Sequence, residues 1–460
     1  MKLLAGASRV DITPKPGIPL MGYAVRNGTA LGVHDPLFAR ALYLAPAETE
    51  KGGLLILAAD LCLMAQAQAL EVRRRIAAET GLQASNILVS CTHTHSGPEM
   101  GLAQMAQDEP MPTHVPGILD GLVEAGRSAH ELRSPAQLTW SQCQARIGRN
   151  RRLEEGPRDP DVLVLRVQAE DGASLAVLYQ HGCHATVLGH ENLEISADWP
   201  GVASSWIERE MDTVALFLLG AHADIDPRTR GLKDLAIPGQ SLGLGFDAVE
   251  VLGSELAQEV IQSQSAAGAA WCTGPLRART ESISLALHLG DRSADEIRSE
   301  LKRRKQEIAQ LLGVSLEQLP HSSELEAVFR DQARGLPAAE ARECIALLRS
   351  YVRDKTAPYF SGGRRQLDVE VQLLQIGDTA LLALPLEATA EVGMDWKARM
   401  ARRGLRGGVA SIANGWLRYL PHPRDLAHPR AHQHYEVLSS LLAPGACERL
   451  LAKGEELLDR

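Results

Sequence analysis

The sequence between residues 86 and 98 reads Asn86-Ile-Leu-Val-Ser-Cys-Thr-His-Thr-His-Ser-Gly-Pro98, an apolar run that passes directly into a histidine-containing loop. Residues 87–91 have the length and composition of a buried strand, and the glycine and proline that follow favour a loop. Loops at the carboxyl ends of strands are where α/β sheets collect ligands and catalytic groups. We therefore expect a functional site after residue 91, with a surface loop of two solvated histidines as the plainer alternative.

This loop contains two histidines, His93 and His95, separated by one residue. We expect these two side chains to point to opposite sides, so that one metal ion rarely binds both. We expect one of them to bind a metal ion and the other to act from an adjacent position.

The overall composition is that of a soluble globular protein large enough for an ample core. Of the 460 residues, 45% are hydrophobic and 23% are charged. The formal net charge is −9, and no stripe of Lys and Arg is interleaved with aromatics, which argues against nucleic acid as a partner. The most apolar run, residues 54–64, is too short to span a bilayer and contains Asp60, which predicts no integral membrane segment.

The cysteines and the amino terminus both favour a cytoplasmic location. The seven cysteines are scattered and form no CxxC pair, as is usual in a reducing compartment. Residues 1–11 contain no apolar segment of the kind that a secretory signal needs.

Several apolar runs of strand length end in residues that can carry chemistry. A strand at 54–59, a helix at 67–80 and the strand at 87–91 form a β-α-β unit. Further strands are predicted before His184, before the polar segment that starts at His222, and before Glu387. The predicted fold class is therefore α/β, with mixed β-sheets flanked by helices and the site at the carboxyl ends of strands.

No internal repeat, linker or strong domain boundary divides the chain, so we predict a single domain over residues 1–460. Residues 291–354 are charged and have helical periodicity with little β signal, which predicts a helical insertion. This insertion is either an exposed helical pair or a lid over the site.

Metal-dependent hydrolysis is one chemistry that these strand ends could support. A catalytic zinc site typically has about three nitrogen or oxygen ligands and a position left for water. His93, His184 and Glu387 each follow an apolar strand that would hold the side chain rigidly. A bound metal ion lowers the pKa of water to about 7, which makes a nucleophile available at neutral pH. Because the residues lie far apart and no HExxH-type pair is present, the spacing alone leaves the question open.

A resemblance to a known family narrows the range of functions that the residues allow. Three segments together resemble the neutral/alkaline non-lysosomal ceramidase family: Thr92-His-Thr-His-Ser-Gly-Pro98, Cys183-His184-Ala-Thr and Ser196-Ala-Asp198. Weaker matches follow in the family's order: Asp11-Ile-Thr-Pro14, Asp224-Ile-Asp-Pro227, Pro385-Leu-Glu387 and Tyr419. The first segment is highly specific, and the resemblance extends from about Gly6 to the helix at Tyr435-Glu436. It implies a ceramidase-like catalytic domain.

The resemblance also implies a Zn²⁺ cofactor. The residues that match the family's metal ligands are His93, His184, Glu387 and Tyr419, with Tyr435 as the second choice for the tyrosine. Leu386 stands where the family usually has a glycine before the glutamate.

Two further residues match positions with catalytic roles in the family. His95 matches a histidine that lies beside the metal and assists catalysis, and Arg151 matches an arginine thought to polarise the substrate carbonyl. From the residues alone, His95 could instead hydrogen-bond the backbone, and Arg151 could pair with a carboxylate. Supporting or structural roles are expected for His181, His190 and His222, and no role is assigned to His34 or Asp35.

The segment Ala223-Asp-Ile-Asp-Pro227 departs from the family, whose ceramidases carry a serine in a Gly-Asp-x-Ser-Pro segment. Asp226 has no hydroxyl to donate, and when ionised it would repel a developing oxyanion. It could instead act as a general base or bind a hydroxyl or amine of a polar substrate. We also expect no carboxy-terminal immunoglobulin-like domain, which makes ceramide itself a less suitable substrate.

The function expected from the sequence is that of a zinc-dependent hydrolase that uses a metal-activated water. We expect it to cleave an amide (N-acyl) C–N bond other than a peptide bond. The reaction would be ceramidase-like and part of lipid metabolism, but its substrate would not be ceramide itself. The alternative is a metal-dependent esterase, lyase or glycoside-acting enzyme that uses the same metal cup on a polar substrate. A third possibility is a metal- or ligand-binding protein without activity. The expected partner is a small-molecule substrate. The sequence does not predict the oligomeric state, and the mixed ligands would admit several divalent metals.

Overall fold

The computed structural model describes residues 3–47, 53–102, 110–230, 245–264, 274–290, 292–319 and 337–460. The helices of these ranges are α1 (Gln66–Thr80), α2 (Val115–Glu131), α3 (Asp198–Met211), α4 (Phe246–Ser263), α5 (Ala294–Leu312), α6 (Ala338–Ser361), α7 (Ala390–Ala401), α8 (Pro423–Ala427), α9 (Tyr435–Ser439) and α10 (Ala446–Asp459). None of the helices within these ranges combines the length and the apolar composition needed to cross a bilayer.

Eight strands form the larger sheet. Their order across it is β11 (Val214–Leu219), β9 (Ser174–His181), β8 (Asp161–Ala169), β6 (Ser134–Gln144), β1 (Leu3–Asp11), β3 (Phe38–Pro46), β4 (Leu54–Ala59) and β5 (Ile87–Cys91). The pairs β4–β5 and β9–β11 are parallel, and the connections within them contain α1 and α3. The predicted β-α-β unit around α1 is therefore present. The strands β4 and β5 are buried over their whole length, because both faces of this part of the sheet are covered.

Four strands form a second sheet, in the order β13 (Leu276–Ala286), β14 (Gln366–Ile376), β15 (Thr379–Ala383) and β17 (Arg406–Ala410). The pair β15–β17 is parallel and its connection contains α7, whereas the other pairs are antiparallel. Three two-stranded pairs complete the set: β2 (Gly32–Val33) with β10 (Glu194–Ile195), β7 (Gly148–Asn150) with β12 (Ile225–Pro227), and β16 (Glu387–Ala388) with β18 (Tyr419–Leu420).

The elements stack in four layers. Helices α1 to α4 pack on one face of the larger sheet, and the second sheet packs on the other face through residues such as Leu165, Leu178, Leu374 and Leu381. Helices α7 and α10 cover the outer face of the second sheet. The predicted α/β class, with mixed sheets flanked by helices, is confirmed.

The larger sheet is strongly curved, since β11 at one edge lies close to β3, β4 and β5 near the other. Residues 411–414 lie between these edges: the Ser411 N–H donates to the Leu219 carbonyl, and the Asn414 N–H donates to the Val89 carbonyl. The carboxyl ends of β5, β9 and β11 are thereby gathered at one place, next to the chain that leaves the second sheet.

Within the predicted insertion, 291–354, the structure contains α5 and most of α6, and residues 291 and 320–336 lie outside the described part. The two helices share a small apolar cluster of their own, which includes Ile308, Leu312, Leu348 and Tyr351. The helix α6 extends beyond the predicted boundary to Ser361. The status of this segment as an insertion stays a prediction.

Candidate metal centre

Four buried side chains converge where the strand ends meet. His93 follows β5, His184 follows β9, His222 follows β11, and Glu387 begins β16 shortly after β15. The Nε2 atoms of the three histidines lie 3.6 Å (His93), 3.5 Å (His184) and 3.6 Å (His222) from one atom, Oε2 of Glu387. None of the four side chains is more than 3% exposed. We call this set the His₃Glu cluster.

Backbone carbonyls fix the orientation of all three imidazoles in the His₃Glu cluster. Nδ1 of His93 lies 2.8 Å from the Cys62 carbonyl oxygen, and Nδ1 of His222 lies 3.0 Å from that of Gly220. Nδ1 of His184 lies 3.0 Å from two carbonyl oxygens, those of residues 222 and 225. A carbonyl only accepts hydrogen bonds, so each Nδ1 is the donor and each neutral ring keeps its lone pair on Nε2. Metal-binding histidines are usually oriented in this way.

The spacing of the His₃Glu cluster fits a metal ion better than direct hydrogen bonds. Two ligands that are each about 2.0–2.1 Å from a tetrahedral metal ion lie roughly 3.3–3.5 Å apart. Among the described residues, the buried Nε2 of His222 and Oε2 of Glu387 have no well-formed hydrogen bond. Three lone pairs and a carboxylate oxygen that face one another in a buried site would repel unless a cation or protons lay between them. The donor set therefore fits a divalent cation such as zinc.

The pKa shifts of the four side chains in the His₃Glu cluster also indicate that the site favours a positive charge. Burial raises the pKa of Glu387, but the charge of His93 and the closeness of the other two imidazoles lower it well below its ordinary value. Burial, and then the neighbouring imidazole of His222, lower the pKa of His184, and burial lowers the pKa of His222. Burial also lowers the pKa of His93, but Cys62 and Glu387 raise it to about 10. A cation bound among these groups would balance the buried carboxylate.

The two loop histidines lie close together at a point of uncommon backbone conformation. His93 has a φ of 67°, in the left-handed region that residues other than glycine rarely adopt. Such conformations cluster at functional sites, where the surrounding structure holds them. The expectation that His93 and His95 point to opposite sides was wrong, because side chains two residues apart lie on the same face of an extended segment. Their rings lie 4.5 Å apart, and their Nε2 atoms are separated by 3.1 Å.

His95 lies on the more open side of the His₃Glu cluster and is partly exposed. Its ring is 4.8 Å from that of Tyr23, at a steep angle. Gly22 leaves the space that this ring occupies, since a Cβ atom there would lie 2.4 Å from Cγ of His95. The structure thus places the predicted catalytic histidine beside the cluster, at a partly exposed position.

Tyr419, the fourth predicted ligand, lies next to Glu387 because β16 and β18 pair in parallel and bring the two residues into register. Burial, and then the Glu387 carboxylate, raise the pKa of the Tyr419 hydroxyl well above its ordinary value. The ring of Tyr435 lies 5.1 Å from that of Tyr419 and perpendicular to it. Both tyrosines considered from the sequence are therefore near the cluster, and Tyr419 is the one adjacent to Glu387.

Arg151 and Asp226 form a second buried group beside the His₃Glu cluster. Nε of Arg151 donates to Oε1 of Glu436 over 2.7 Å, and its Nη1 lies 3.5 Å from Oδ1 of Asp226. Arg151 therefore pairs with carboxylates, which was the alternative weighed for it. Asp226 Oδ1 is 3.8 Å from Nδ1 of His184, on the edge of that ring opposite to the atom that faces Glu387.

Two residues of the site were not predicted from the sequence. His222 was expected to have a supporting role, yet its Nε2 is as close to Glu387 as those of the predicted ligands. It follows β11 at the offset at which His184 follows β9, and this shared spacing was a usable signal. Trp416 donates its indole N–H to Oε1 of Glu387 over 2.8 Å, and no pattern in the sequence indicated this contact.

Comparisons with known proteins agree on one group. A family model described as neutral/alkaline non-lysosomal ceramidase, N-terminal, matches residues 3–232, half of the chain. The matched region contains the three histidines of the cluster but not Glu387 or Tyr419.

Two curated relatives align with this chain over similar lengths. The chain is 26% identical over 258 residues to neutral ceramidase A of Dictyostelium discoideum and 26% identical over 261 residues to a neutral ceramidase of Mycobacterium tuberculosis. The alignments cover 49% and 50% of this chain but only 36% and 41% of those proteins.

A solved structure extends the likeness to nearly the whole chain. The crystal structure of neutral ceramidase from Pseudomonas aeruginosa aligns with a TM-score of 0.72 at 21% sequence identity. The alignment covers 99% of this chain and 74% of that one, and at this identity it shows a shared fold.

Proposed function

The chain belongs to the neutral/alkaline non-lysosomal ceramidase family, as its Thr92–Pro98 segment predicted, and we propose that it is a zinc-dependent hydrolase of amide (N-acyl) C–N bonds. The observation that carries this proposal is the convergence of three imidazole Nε2 atoms and one carboxylate oxygen, 3.5–3.6 Å apart, in a buried site. Amide hydrolysis is taken from the ceramidases that the chain resembles.

The His₃Glu cluster and Tyr419 would hold the metal ion, which when bound supplies a Lewis acid and a water of lowered pKa. The hydrogen bonds at Nδ1 keep each imidazole in the orientation for binding. Tyr419 pairs in register with Glu387, which brings its hydroxyl close to the same site.

His95 is the proposed proton carrier. Its imidazole lies on the accessible side of the cluster and can accept a proton from the attacking water and return it to the leaving nitrogen. The position of its Nε2, 3.1 Å from that of His93, supports this role, because a group transferring protons must be within reach of the reacting atoms.

The substrate is proposed to be more polar than ceramide. Arg151 is already bound to Glu436 and lies near Asp226, so its guanidinium is paired with carboxylates and not free. Asp226 lies on the Nδ1 side of His184, away from Glu387, which disfavours a role as general base; a hydroxyl or amine of the substrate is the partner proposed for its charge. Such a buried carboxylate is costly to leave beside an apolar chain, which argues against a hydrocarbon at this position.

The proposal is tested with purified, metal-replete enzyme on ceramide and on a panel of N-acyl amides with hydroxylated or amine-bearing head groups. We expect hydrolysis of polar amides that a chelator abolishes and Zn²⁺ restores, with no release of fatty acid from ceramide. His184→Ala should lose both metal and turnover. His181→Ala is a matched control, since His181 is equally buried and its Nδ1 also faces a carbonyl, that of Asp161, outside the cluster.

Three outcomes would contradict parts of the proposal. Turnover that survives complete removal of metal would refute metal dependence. Release of fatty acid from ceramide by holoenzyme would refute the polar substrate. Full metal content and turnover in His184→Ala would refute the assigned site.

A second candidate function is a metal-dependent esterase, lyase or glycoside-acting enzyme on a polar substrate. It is favoured by the aspartate at position 226, where ceramidases carry a serine. Product analysis by mass spectrometry on non-amide substrates separates the two candidates, because only this second one yields an alcohol, an eliminated product or a free sugar. The cytoplasmic location stays a prediction that cell fractionation would test.

A further inference from the structure

The carboxylate of Glu387 has two oxygens, and the structure gives them different partners. Oε2 faces the three histidines of the His₃Glu cluster, whereas Oε1 accepts the indole N–H of Trp416 over 2.8 Å. The terminal torsion of a glutamate side chain is broad and has no strong preferred value. A contact to one oxygen is therefore needed to fix the direction of the other.

We propose that Trp416 is a positioning residue that holds Glu387 in the orientation for binding a metal ion; this inference rests on the proposed function. An indole N–H only donates, so Trp416 can fix a carboxylate oxygen without offering a lone pair to the metal. A hydrogen bond to a charged acceptor is also stronger than one between neutral groups. Outer contacts of this kind orient metal ligands and raise the affinity of the site.

The chain around Trp416 is itself fixed to the strand that carries His93. Oδ1 of Asn414 accepts the Val89 N–H over 2.9 Å, and the Asn414 N–H donates to the Val89 carbonyl over 2.7 Å. Gly415, with a φ of 136°, passes so close to Gln66 that a Cβ atom would lie 2.3 Å from its Cγ. The indole is thus held in a defined place relative to β5, and it links two ligands that lie far apart in the sequence.

Helix α6 supports the indole from the other side. The ring of Phe360 lies 5.8 Å from that of Trp416 at a steep angle, and the guanidinium of Arg418 lies over both rings. Nη2 of Arg418 donates to Oγ1 of Thr356 on the same helix over 3.0 Å. Helix α6 is therefore connected to the metal centre through Trp416. We expect a change in the packing of α6 to alter the orientation of the Glu387 carboxylate.

The test compares Trp416→Phe with wild-type protein. Phenylalanine keeps an aromatic ring against Phe360 and removes the N–H. We expect the affinity for Zn²⁺, measured by competition with a chelator, to fall about 10- to 100-fold. The visible spectrum of the Co²⁺-loaded protein should also change, because one ligand has lost its orientation.

Trp206→Phe is the matched control, because Trp206 donates to Oε1 of Glu250 over the same 2.8 Å at an exposed position. This control should keep the wild-type affinity and spectrum. Phe360→Leu, which keeps the indole N–H and weakens its support, should lose up to about 10-fold in affinity. It tests the same inference if the tryptophan variant fails to fold.

Wild-type Zn²⁺ affinity and Co²⁺ spectrum in folded Trp416→Phe would overturn the inference alone. A wild-type protein that binds no Zn²⁺ would overturn the proposed function and the inference with it. Equal losses in Trp416→Phe and Trp206→Phe would overturn the inference as well, because a general loosening of the fold would then explain both.

Discussion

Replacing Glu387 by glutamine should separate metal binding from folding. The amide keeps the size of the side chain and an oxygen that can accept the indole N–H of Trp416. It places N–H donors where Oε2 stood, and these can donate to the imidazole lone pairs that converge there. The metal-free variant should therefore fold, while the site binds a cation far more weakly because the carboxylate charge is lost and an amide nitrogen has no lone pair to offer.

The expected rise in Tm on Zn²⁺ binding follows from the free energy of ligand binding and from the length of the chain. A ligand at 100 times its Kd stabilises the folded protein by about 2.7 kcal/mol. Unfolding releases roughly 2.1 cal/mol/K of entropy per residue, or about 1 kcal/mol/K for this chain of 460 residues. Saturating Zn²⁺ should thus raise the Tm of the wild-type protein by about 3 °C and that of Glu387→Gln by nothing measurable.

Thermal unfolding by calorimetry, with and without Zn²⁺, measures both proteins, and mass spectrometry of the native protein gives the metal content. Glu250→Gln is the control, since Glu250 also accepts an indole N–H over 2.8 Å but lies on the surface. It should keep the full rise in Tm. A Glu387→Gln variant that retains the Tm rise and one bound Zn²⁺ per chain would refute the assignment of the His₃Glu cluster as the metal site.

Three further predictions follow from individual residues. His222→Ala should lose more than the roughly 100-fold in Zn²⁺ affinity that an outer contact costs, as measured by chelator competition, and a smaller loss would exclude His222 as a ligand. Burial raises the pKa of Asp198 to about 6. Because the pKa is raised in the folded state, protonated Asp198 stabilises the fold fully below about pH 4, and this contribution is lost as the pH rises to 6. In denaturant titrations the free energy of unfolding of the wild type, relative to that of Asp198→Asn, should fall by up to roughly 3 kcal/mol across this window. A difference that stays constant with pH would contradict the prediction. Gly22→Ala should lower turnover at unchanged metal content, because its Cβ would displace His95; Gly17→Ala, with similar backbone geometry and open space around it, should not, and equal effects would point to backbone strain instead.

The sequence could predict those parts of the site that follow buried strands. His93, His184 and Glu387 were found because each comes after an apolar run of strand length, and the fold class followed from the same runs. His222 has the same kind of position after β11, but nothing in the sequence shows that β9 and β11 are neighbours. Their parallel pairing is what places the two histidines side by side.

Other features depend on tertiary contacts that no local pattern encodes. Strand β13 was not predicted, because it is a partly exposed edge strand with many polar residues. The left-handed backbone conformation of His93 is held by the structure around it and has no local sequence signal. Trp416 reaches Glu387 only because the second sheet and residues 411–414 are docked against β5.

The ligands of the His₃Glu cluster are contributed by both halves of the polypeptide, with almost three hundred positions between the first and the last. A nascent or proteolytically shortened chain that ends after the histidines would lack the carboxylate and could not retain the ion. Under the proposed function, occupancy of the centre would therefore report that synthesis and docking of the two sheets are finished. Metal binding would be the last step of assembly, after which the bound ion would oppose separation of the two halves of the polypeptide.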